Sequence, residues 1–134
     1  MEKYAKAKQE TINTCRKKVA LKIYESVVMK TPVKTGRARA NWQITIGRPA
    51  KSQVKGNDPS PYGSPPRNLP QQAEKLGAMK NSDATIYISN NLPYIVGLEY
   101  GKSQQSPSGM VGVTIAEMNR IIEESVAESK EENK

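Results

Sequence analysis

A proline-rich segment in the middle of the chain limits what this protein can fold into. Residues 48–70 (RPAKSQVKGNDPSPYGSPPRNLP) hold six of the nine prolines, interspersed with Gly, Ser and Asn. Proline lacks a backbone N–H and fixes φ, so this segment cannot supply the interior of a helix or a central strand. Loops of this length in small domains are usually functional or mobile. We therefore predict a flexible loop at 48–70 within a single domain, residues 1–134.

The part before this loop is predicted to be a long helix followed by a strand. Residues 3–30 contain no Gly or Pro, and Pro32 disfavours helical geometry at the residue before it, so the helix should end near Lys30. Apolar residues in the helix recur at three- and four-residue spacing, which indicates one buried face. Alternation over residues 42–46 then predicts a strand that Trp42 anchors in the core. The predicted helix stripe is Ile12, Cys15, Val19, Ile23 and Val27, with Cys15 as a small core residue.

Further elements are predicted after the loop. Residues 71–80 are expected to form a short helix that is stopped or broken at Gly77, and residues 84–89 a second strand. Residues 90–113 then combine a Pro-Tyr turn, a polar loop and a helix start, with Ser108 as a possible cap. A last helix is predicted over 111–128, followed by a disordered tail at 129–134. Its predicted buried stripe is Val111, Ile115, Met118, Ile122 and Val126.

The composition argues against most catalytic and metal chemistry. One cysteine and no histidine cannot build zinc or iron sites of the usual ligand types, nor Ser–His or Cys–His nucleophile pairs. The carboxylates between the first and last helices are scattered and suggest no acid–base dyad. The glycines after residue 90 lack the pattern of a phosphate-binding loop, and no apolar run is long enough to span a membrane. We predict a protein that is not an enzyme, binds no cofactor or membrane, and is soluble and intracellular where it is made.

The net charge of +8 is unevenly distributed. Residues 1–55 carry 14 Lys and Arg against 3 Asp and Glu, residues 56–110 carry 4 against 4, and residues 111–134 carry 3 against 6. This polarity can attract a polyanion, or bring the basic end of one copy to the acidic end of another. A basic helix face that is simply solvated remains an equal alternative. The low apolar content of 36% also suggests that some surface is buried against partner subunits. Two non-enzymatic interpretations remain open: a structural component that works as an oligomer, and a monomeric DNA-binding protein without sequence specificity.

Two motif blocks resemble a known family. TPVKTGRARANW covers residues 31–42, and NNLPYIVGLEYGKSQQSPSGM covers residues 90–110. In this order and spacing, the pair resembles the tail-completion (neck, or head–tail joining) proteins of tailed bacteriophages and is similar to the minor tail protein Z group of lambda-like phages. The matching positions are Thr31, Pro32, Val33, Thr35, Gly36, Arg39 and Trp42, then Asn90, Pro93, Tyr94, Leu98, Glu99, Tyr100 and Gly101, then Gln105, Pro107, Gly109 and Met110.

The resemblance implies an α+β fold with a long N-terminal helix, a small antiparallel sheet and a C-terminal helix packed on it. It implies a structural virion protein, made in the host cytoplasm, that acts at the head–tail junction. Such proteins form rings, commonly hexameric, between the connector or head-closure protein and the tail-tube or tail-terminator protein. DNA passes through the ring, with transient contacts that carry no sequence information.

The candidate site residues fall into three groups. Those expected to hold a neighbouring subunit or partner are Glu99, Tyr100, Ser103, Gln104, Gln105, Arg37 and Arg39. For Glu99 and Tyr100 the alternative is to hold the joint that sets the last helix against the sheet, and for the two arginines it is plain surface solvation. Those expected to face DNA in the lumen, or an acidic helix on the next copy, are Arg16, Lys17, Lys18 and Lys22. Those expected to shape the motif blocks are Thr35, Gly36, Trp42, Pro93, Tyr94 and Gly101, with Thr35 capping a short helical turn that ends at Ala40.

Overall fold

The protein has an α+β fold, as expected, but its C-terminal helix packs against the long N-terminal helix and not on the sheet as the resemblance implied. A computed structural model describes residues 2–79, 84–101, 103–106 and 108–132. In these ranges two strands pair as an antiparallel sheet, and helices lie at both ends of the chain. The elements are α1 (Glu2–Met29), α2 (Arg37–Ala40), β1 (Trp42–Ile46), α3 (Leu69–Gly77), β2 (Ile86–Asn90), α4 (Ile95–Glu99), α5 (Val111–Ala116) and α6 (Met118–Glu132).

The sheet packs one apolar face against α1. Strands β1 and β2 are in register from Trp42 opposite Asn90 to Ile46 opposite Ile86, with Ile44 opposite Ile88. Because side chains alternate along a strand, the isoleucines of both strands share the face that α1 covers. The core under this face comprises Ala20, Tyr24, Val27, Val28, Trp42, Ile44, Leu76 and Met110.

The end of α1 is tied directly to the start of the sheet. The helix stops at Met29, as the proline at position 32 predicts. Thr31 is fully buried, and its hydroxyl donates to the carbonyl of Val27 at 2.5 Å. The same hydroxyl oxygen accepts the indole N–H of Trp42 at 2.8 Å. Trp42 is thus a core residue whose only polar atom is satisfied, as a buried indole requires.

The buried face of α1 differs from the predicted one. Of the predicted stripe only Val27 is fully buried, while Ile12 is 52% exposed and Cys15 is only partly covered. The buried positions are instead Ala20, Tyr24, Val27 and Val28. Tyr24 explains why the buried face of α1 is rotated from the predicted stripe. Its ring fills the core, while its hydroxyl donates to the side chain of Asn68 at 2.7 Å. A pattern built on aliphatic residues alone does not count such an amphipathic anchor.

The predicted last helix is two helices with another buried face. Helix α5 ends at Ala116 and α6 begins at Met118. Ile115 and Ile122, predicted to be buried, are 60% and 42% exposed. The buried positions of the two helices are Thr114, Ile121, Ser125 and Ser129. The hydroxyls of Ser125 and Ser129 donate to carbonyls four residues back at 2.7 Å, so small polar residues can be buried here without unsatisfied groups.

The predicted disorder of the tail is also corrected. Helix α6 continues to Glu132, and Ser129 is fully buried, because its face extends the contact with α1. Residues 133 and 134 lie outside the described ranges.

The proline-rich segment contains no helix or strand until Leu69, close to the predicted end of the loop at 70. Helix α3 then begins two residues earlier than predicted, with Pro70 in its first turn, where proline is tolerated. The helix ends at Gly77 as expected; Lys80 lies outside the described residues. The second strand is shifted from 84–89 to Ile86–Asn90. Flexibility of the loop stays a prediction, although its middle is anchored at Asp58, which is buried.

Candidate functional site

The two motif blocks, far apart in the chain, meet at one corner of the molecule. The side-chain amide of Asn90 donates to the carbonyl of Ala38 at 2.9 Å. Gln105 bonds to both backbone groups of Val33: its side-chain oxygen accepts the N–H at 2.6 Å, and its amide donates to the carbonyl at 3.3 Å. The hydroxyl of Ser106 donates to the carbonyl of Lys30. The second block therefore fastens onto the backbone of the first.

A cleft separates the two blocks where they are not bonded. It is lined by Pro32, Val33, Lys34, Thr35, Gly36, Arg37, Ala38, Asn57, Tyr94, Leu98, Ser103, Gln104 and Gln105. Most of the predicted partner and motif residues are thus brought to one place. Tyr100 stands apart from this lining and is 84% exposed. Ser103 is partly covered, and its hydroxyl oxygen accepts the N–H of Gln105 at 3.2 Å.

Glu99 caps the start of α5. Its carboxylate accepts the backbone N–H groups of Met110 at 2.9 Å, Val111 at 2.8 Å and Gly112 at 2.9 Å. Partial burial by itself would raise the pKa of Glu99, but these three donors outweigh it and hold the pKa below its usual value. The cap predicted at Ser108 is wrong, because Ser108 is exposed and Glu99 occupies the place of a capping side chain.

The close approach of Glu99 to α5 depends on a glycine. Gly109 has φ +83°, and a Cβ at this position would lie 2.3 Å from the carbonyl oxygen of Glu99. Only glycine fits both the backbone angle and the space. Gly101, at φ +89°, lets the chain turn directly after α4. Glu99 therefore forms the joint between the second motif block and the last helices.

Arg39 is not a surface residue, which corrects its prediction as a partner contact. Its side chain is fully buried and forms an ion pair with Asp58 at 3.3 Å. It also donates to the carbonyls of Val28 at 3.4 Å and Pro65 at 3.1 Å. Arg39 therefore fastens the proline-rich segment to α1 and cannot reach a neighbouring subunit.

Asp58 is the residue in the loop that the sequence interpretation missed. It accepts from the backbone N–H of Ser60 at 3.2 Å and the Ser60 hydroxyl at 2.7 Å. Burial would raise the pKa of Asp58, but the bonds from Ser60 and Arg67 and the charge of Arg39 hold the pKa below its usual value. Gly36 permits the contact, because its φ is +85° and a Cβ would lie 2.1 Å from the carbonyl oxygen of Asp58. The sequence feature that could have identified Asp58 is its isolation: it is a single acidic residue among prolines, directly after a long stretch with Lys and Arg but no Asp or Glu.

The start of α2 agrees with the motif prediction in part. Gly36, not Thr35, occupies the cap position, and the helical turn ends at Ala40 as expected. The hydroxyl of Thr35 accepts the N–H of Arg37 at 3.3 Å. The guanidinium of Arg37 is exposed and donates to the side-chain oxygen of Gln53 at 2.6 Å. In the second block, Pro93 is exposed and Tyr94 is 46% exposed.

The four basic candidates of α1, at positions 16, 17, 18 and 22, do not form one free face. Lys22 pairs with Glu124 at 3.2 Å and Glu128 at 3.0 Å, and Lys18 pairs with Glu128 at 3.7 Å. Partial burial opposes the charge of Lys22, but its bonds to the two glutamates hold its pKa above the usual value. The basic and acidic helices predicted to join neighbouring copies are therefore paired within one chain at Lys18 and Lys22.

The other two basic candidates on α1 lie on different sides of the helix. Arg16 donates to the carbonyl of Ala84, beside the sheet. Lys17 lies next to a small cavity near Leu76 of α3. Lys18 lines the same cavity as Lys17, whereas Arg16 lines the apolar groove by the sheet.

An open apolar groove of about 690 Å³ lies between α1, α6 and the start of β2. The two predicted stripes that turned out not to be buried converge here. Its lining from α1 includes Ile12, Cys15, Val19 and Ile23; from α6, Ile122 and Val126; and from β2, Ile86 and Ile88. Arg16 is the charged residue in the lining. Cys15 thus lies at the groove and not in the core.

Metal and membrane sites are not visible in the described part of the chain. Across these residues, no three His, Cys, Asp or Glu side chains lie together in a group that could hold a metal ion. No helix among them is long and apolar enough to cross a bilayer.

Comparisons of the chain with protein-family models, with curated proteins and with solved structures gave no match.

Proposed function

We propose that this protein is a structural, non-catalytic component of the head–tail junction of a tailed phage, where copies form a ring between the connector and the tail. The resemblance of the two motif blocks supports the place in the virion. Their contact at one corner, through Asn90 and Gln105, supports treating the two blocks as one structural unit. In this proposal the ring has an open centre through which DNA passes.

The main observation in support of assembly into an oligomer is the uncovered apolar groove. Ile12 and Ile122 are 52% and 42% exposed on a chain whose apolar content is only 36%. Apolar surface of this kind gains free energy when it is removed from water, and contiguous patches of it often mark interaction sites. A neighbouring copy of the chain is the occupant we propose.

The contact would be heterologous, joining two different surfaces of neighbouring copies. The groove does not include the exposed apolar residues of the α4 region, namely Tyr94, Val96 and Tyr100. Val96 and Tyr100 are four residues apart and 62% and 84% exposed, so they can present one apolar face. A contact in which the α4 region of one copy enters the groove of the next closes into a ring when the rotation between copies allows it.

Mass measurement tests the proposal. Native mass spectrometry or light scattering on the purified protein, alone and mixed with connector and tail-tube proteins, should reveal a closed oligomer in at least one of these samples. A strict monomer that joins neither partner would exclude the ring. A monomer that binds duplex DNA with a steep salt dependence would instead support the monomeric DNA-binding alternative.

Two exposed isoleucines provide a matched pair of variants. Ile122→Gln removes an apolar side chain from the groove, whereas Ile115→Gln makes the same change on α5, outside the groove. The first should abolish or weaken association, and the second should leave it unchanged. Equal loss in both variants would show that the groove is not the contact surface.

A further inference from the structure

One long stretch of the chain is basic without interruption. Residues 26–57 contain seven Lys and Arg and no Asp or Glu. Two of the seven are neutralised by carboxylates from elsewhere: Lys30 pairs with Glu117 at 3.3 Å, and Arg39 with Asp58 at 3.3 Å. The other five are all exposed, and no ion pair joins them to any other residue in the described ranges. They are Lys34, Arg37, Arg48, Lys51 and Lys55, here called the basic loop face.

The loop is fastened so that these cations stay together. The segment after β1 turns back beside it: the side-chain amide of Gln43 donates to the carbonyl of Ser52 at 2.8 Å, and the side-chain oxygen of Asn41 accepts the N–H of Val54 at 2.7 Å. Arg37 reaches Gln53 at 2.6 Å. These bonds hold residues 52–54, between Lys51 and Lys55, against Arg37 of α2 and the start of β1.

The bonds that hold the loop do not involve the charged groups of Lys51 and Lys55. Asn91 also holds this segment, since its amide donates to the carbonyls of Ala50 at 2.9 Å and Ser52 at 3.2 Å. The side chains of Lys51 and Lys55 are therefore presented by a fastened backbone while their charges point to solvent. By contrast, Lys18 and Lys22 on α1 already pair with carboxylates of α6.

We propose that the basic loop face binds the phosphate backbone of duplex nucleic acid without reading its sequence. Unpaired Lys and Arg on an exposed loop attract closely spaced phosphates and release their counterions. No aromatic side chain lies among the loop cations at 48–55, whereas proteins that bind single strands typically interleave stacking aromatics with their cations; Tyr94 lines the cleft beside Lys34 and Arg37 only. This inference deepens the proposed function, on which it rests for the presence of DNA at the site, and moves the DNA contact from α1 to the loop.

The test is a salt titration of DNA binding by the free full-length chain. Binding to a labelled duplex of about 20 base pairs is followed by fluorescence anisotropy between about 50 and 200 mM salt. Five phosphate contacts correspond to a log–log slope no steeper than about −4.5. The triple variant Arg48→Gln, Lys51→Gln, Lys55→Gln should bind at least about tenfold more weakly at the lower salt concentration, with the slope reduced by about 2.7.

A control variant with the same loss of charge distinguishes an effect of the basic loop face from an effect of the net charge. Lys17→Gln, Arg120→Gln and Lys130→Gln lie on α1 and α6, outside the loop. This control should bind DNA nearly as well as the unmodified chain, and both triple variants should show unchanged circular dichroism. Equal weakening in both variants would overturn the inference, as would the absence of salt-dependent binding in the unmodified chain.

Polyglutamate of comparable charge distinguishes nucleic acid from an acidic protein partner. Tighter binding of DNA supports the inference, and equal or tighter binding of polyglutamate overturns it. Neither measurement requires assembly, so a ring without DNA binding, or DNA binding without a ring, separates this inference from the proposed function.

Discussion

At the scale of single residues, the carboxylate of Glu99 organises more structure than its position in a short turn suggests. It satisfies three N–H groups at the start of α5, groups that have no partner within the helix. The negative charge also lies at the positive end of the helix. Glu99 was predicted to hold either the joint to the last helix or a neighbouring subunit, and the structure shows the first of these contacts.

Substitution of Glu99 should destabilise the protein. Glu99→Gln keeps the shape of the side chain, but it loses the charge and replaces one of the two accepting carboxylate oxygens. We therefore expect a loss of about 1–2 kcal/mol in the free energy of unfolding. Urea unfolding at neutral pH measures it. Glu123→Gln is the matched control, because Glu123 is exposed on α6 and should change stability by less than about 0.5 kcal/mol. Equal stability of the two variants would contradict the capping role.

The sign of the pH dependence follows from the lowered pKa. Because the folded protein holds the pKa of Glu99 below the unfolded value of 4.5, its contribution is present above that value and is lost as the pH falls through the folded pKa. The difference in stability between the unmodified chain and Glu99→Gln should therefore shrink in acid. A difference that stays constant down to about pH 2 would contradict this.

Trp42 is the second residue whose change should be costly. Trp42→Ala should lower the free energy of unfolding by about 3–5 kcal/mol, since it leaves a large cavity and removes the partner of Thr31. Trp42→Phe should cost less, because most of the buried ring is kept. Tyr100→Ala, at a position 84% exposed, is the control and should be close to neutral. A near-neutral Trp42→Ala would mean that Trp42 is not a core anchor.

At the scale of elements, small or amphipathic residues occupy several of the buried helix positions that aliphatic residues were predicted to fill. Helix α6 buries Ser125 and Ser129 and leaves Ile122 partly exposed, while α1 buries Ala20 and Tyr24. Small side chains let two helices approach closely, and intrahelical bonds satisfy the serine hydroxyls. As a consequence, an apolar stripe on each helix stays uncovered in the single chain.

Enlarging a buried serine should separate the helices. Ser125→Leu adds a branched side chain to the fully buried face of α6 and should destabilise the fold by about 1–3 kcal/mol. Ser125→Ala should be tolerated, because it loses only a bond within its own helix. Thermal unfolding measures both. Ala127→Leu places the same bulk on the exposed side of α6 and should be nearly neutral; an equally neutral Ser125→Leu would mean that the helices are not closely packed there.

At the scale of the whole molecule, the uneven charge of the chain is partly cancelled by folding. The acidic last helix lies against the basic first helix, with Lys18 and Lys22 paired to Glu124 and Glu128. Among the residues that the structure describes, the basic loop face contributes five exposed cations without an ion pair. The molecule therefore presents an apolar groove at one place and basic residues at another, in line with the two partners proposed above, a neighbouring copy and DNA.

Most of the correct predictions of helix and strand bounds rest on rules that involve only neighbouring residues. The end of α1 before Pro32, the first strand at Trp42–Ile46 and the end of α3 at Gly77 all follow from proline, alternation and glycine acting on their immediate neighbours. The break at Glu117 and the short helix α4 were missed, because both depend on what the segment packs against. The capping contact of Glu99 spans more than ten residues of intervening chain and has no signature in a local window.

The sequence by itself determined the order of the elements apart from α4 and the break at Glu117, the irregular middle segment, the anchor at Trp42 and the lack of histidine-based chemistry, because each depends on residue type or near neighbours. Only the tertiary structure decided which helix faces are buried, that Arg39 serves Asp58 and that the two motif blocks meet. Those outcomes depend on contacts between distant segments. An apolar stripe specifies that a face should leave water, but the fold decides whether its own chain or another one covers that face.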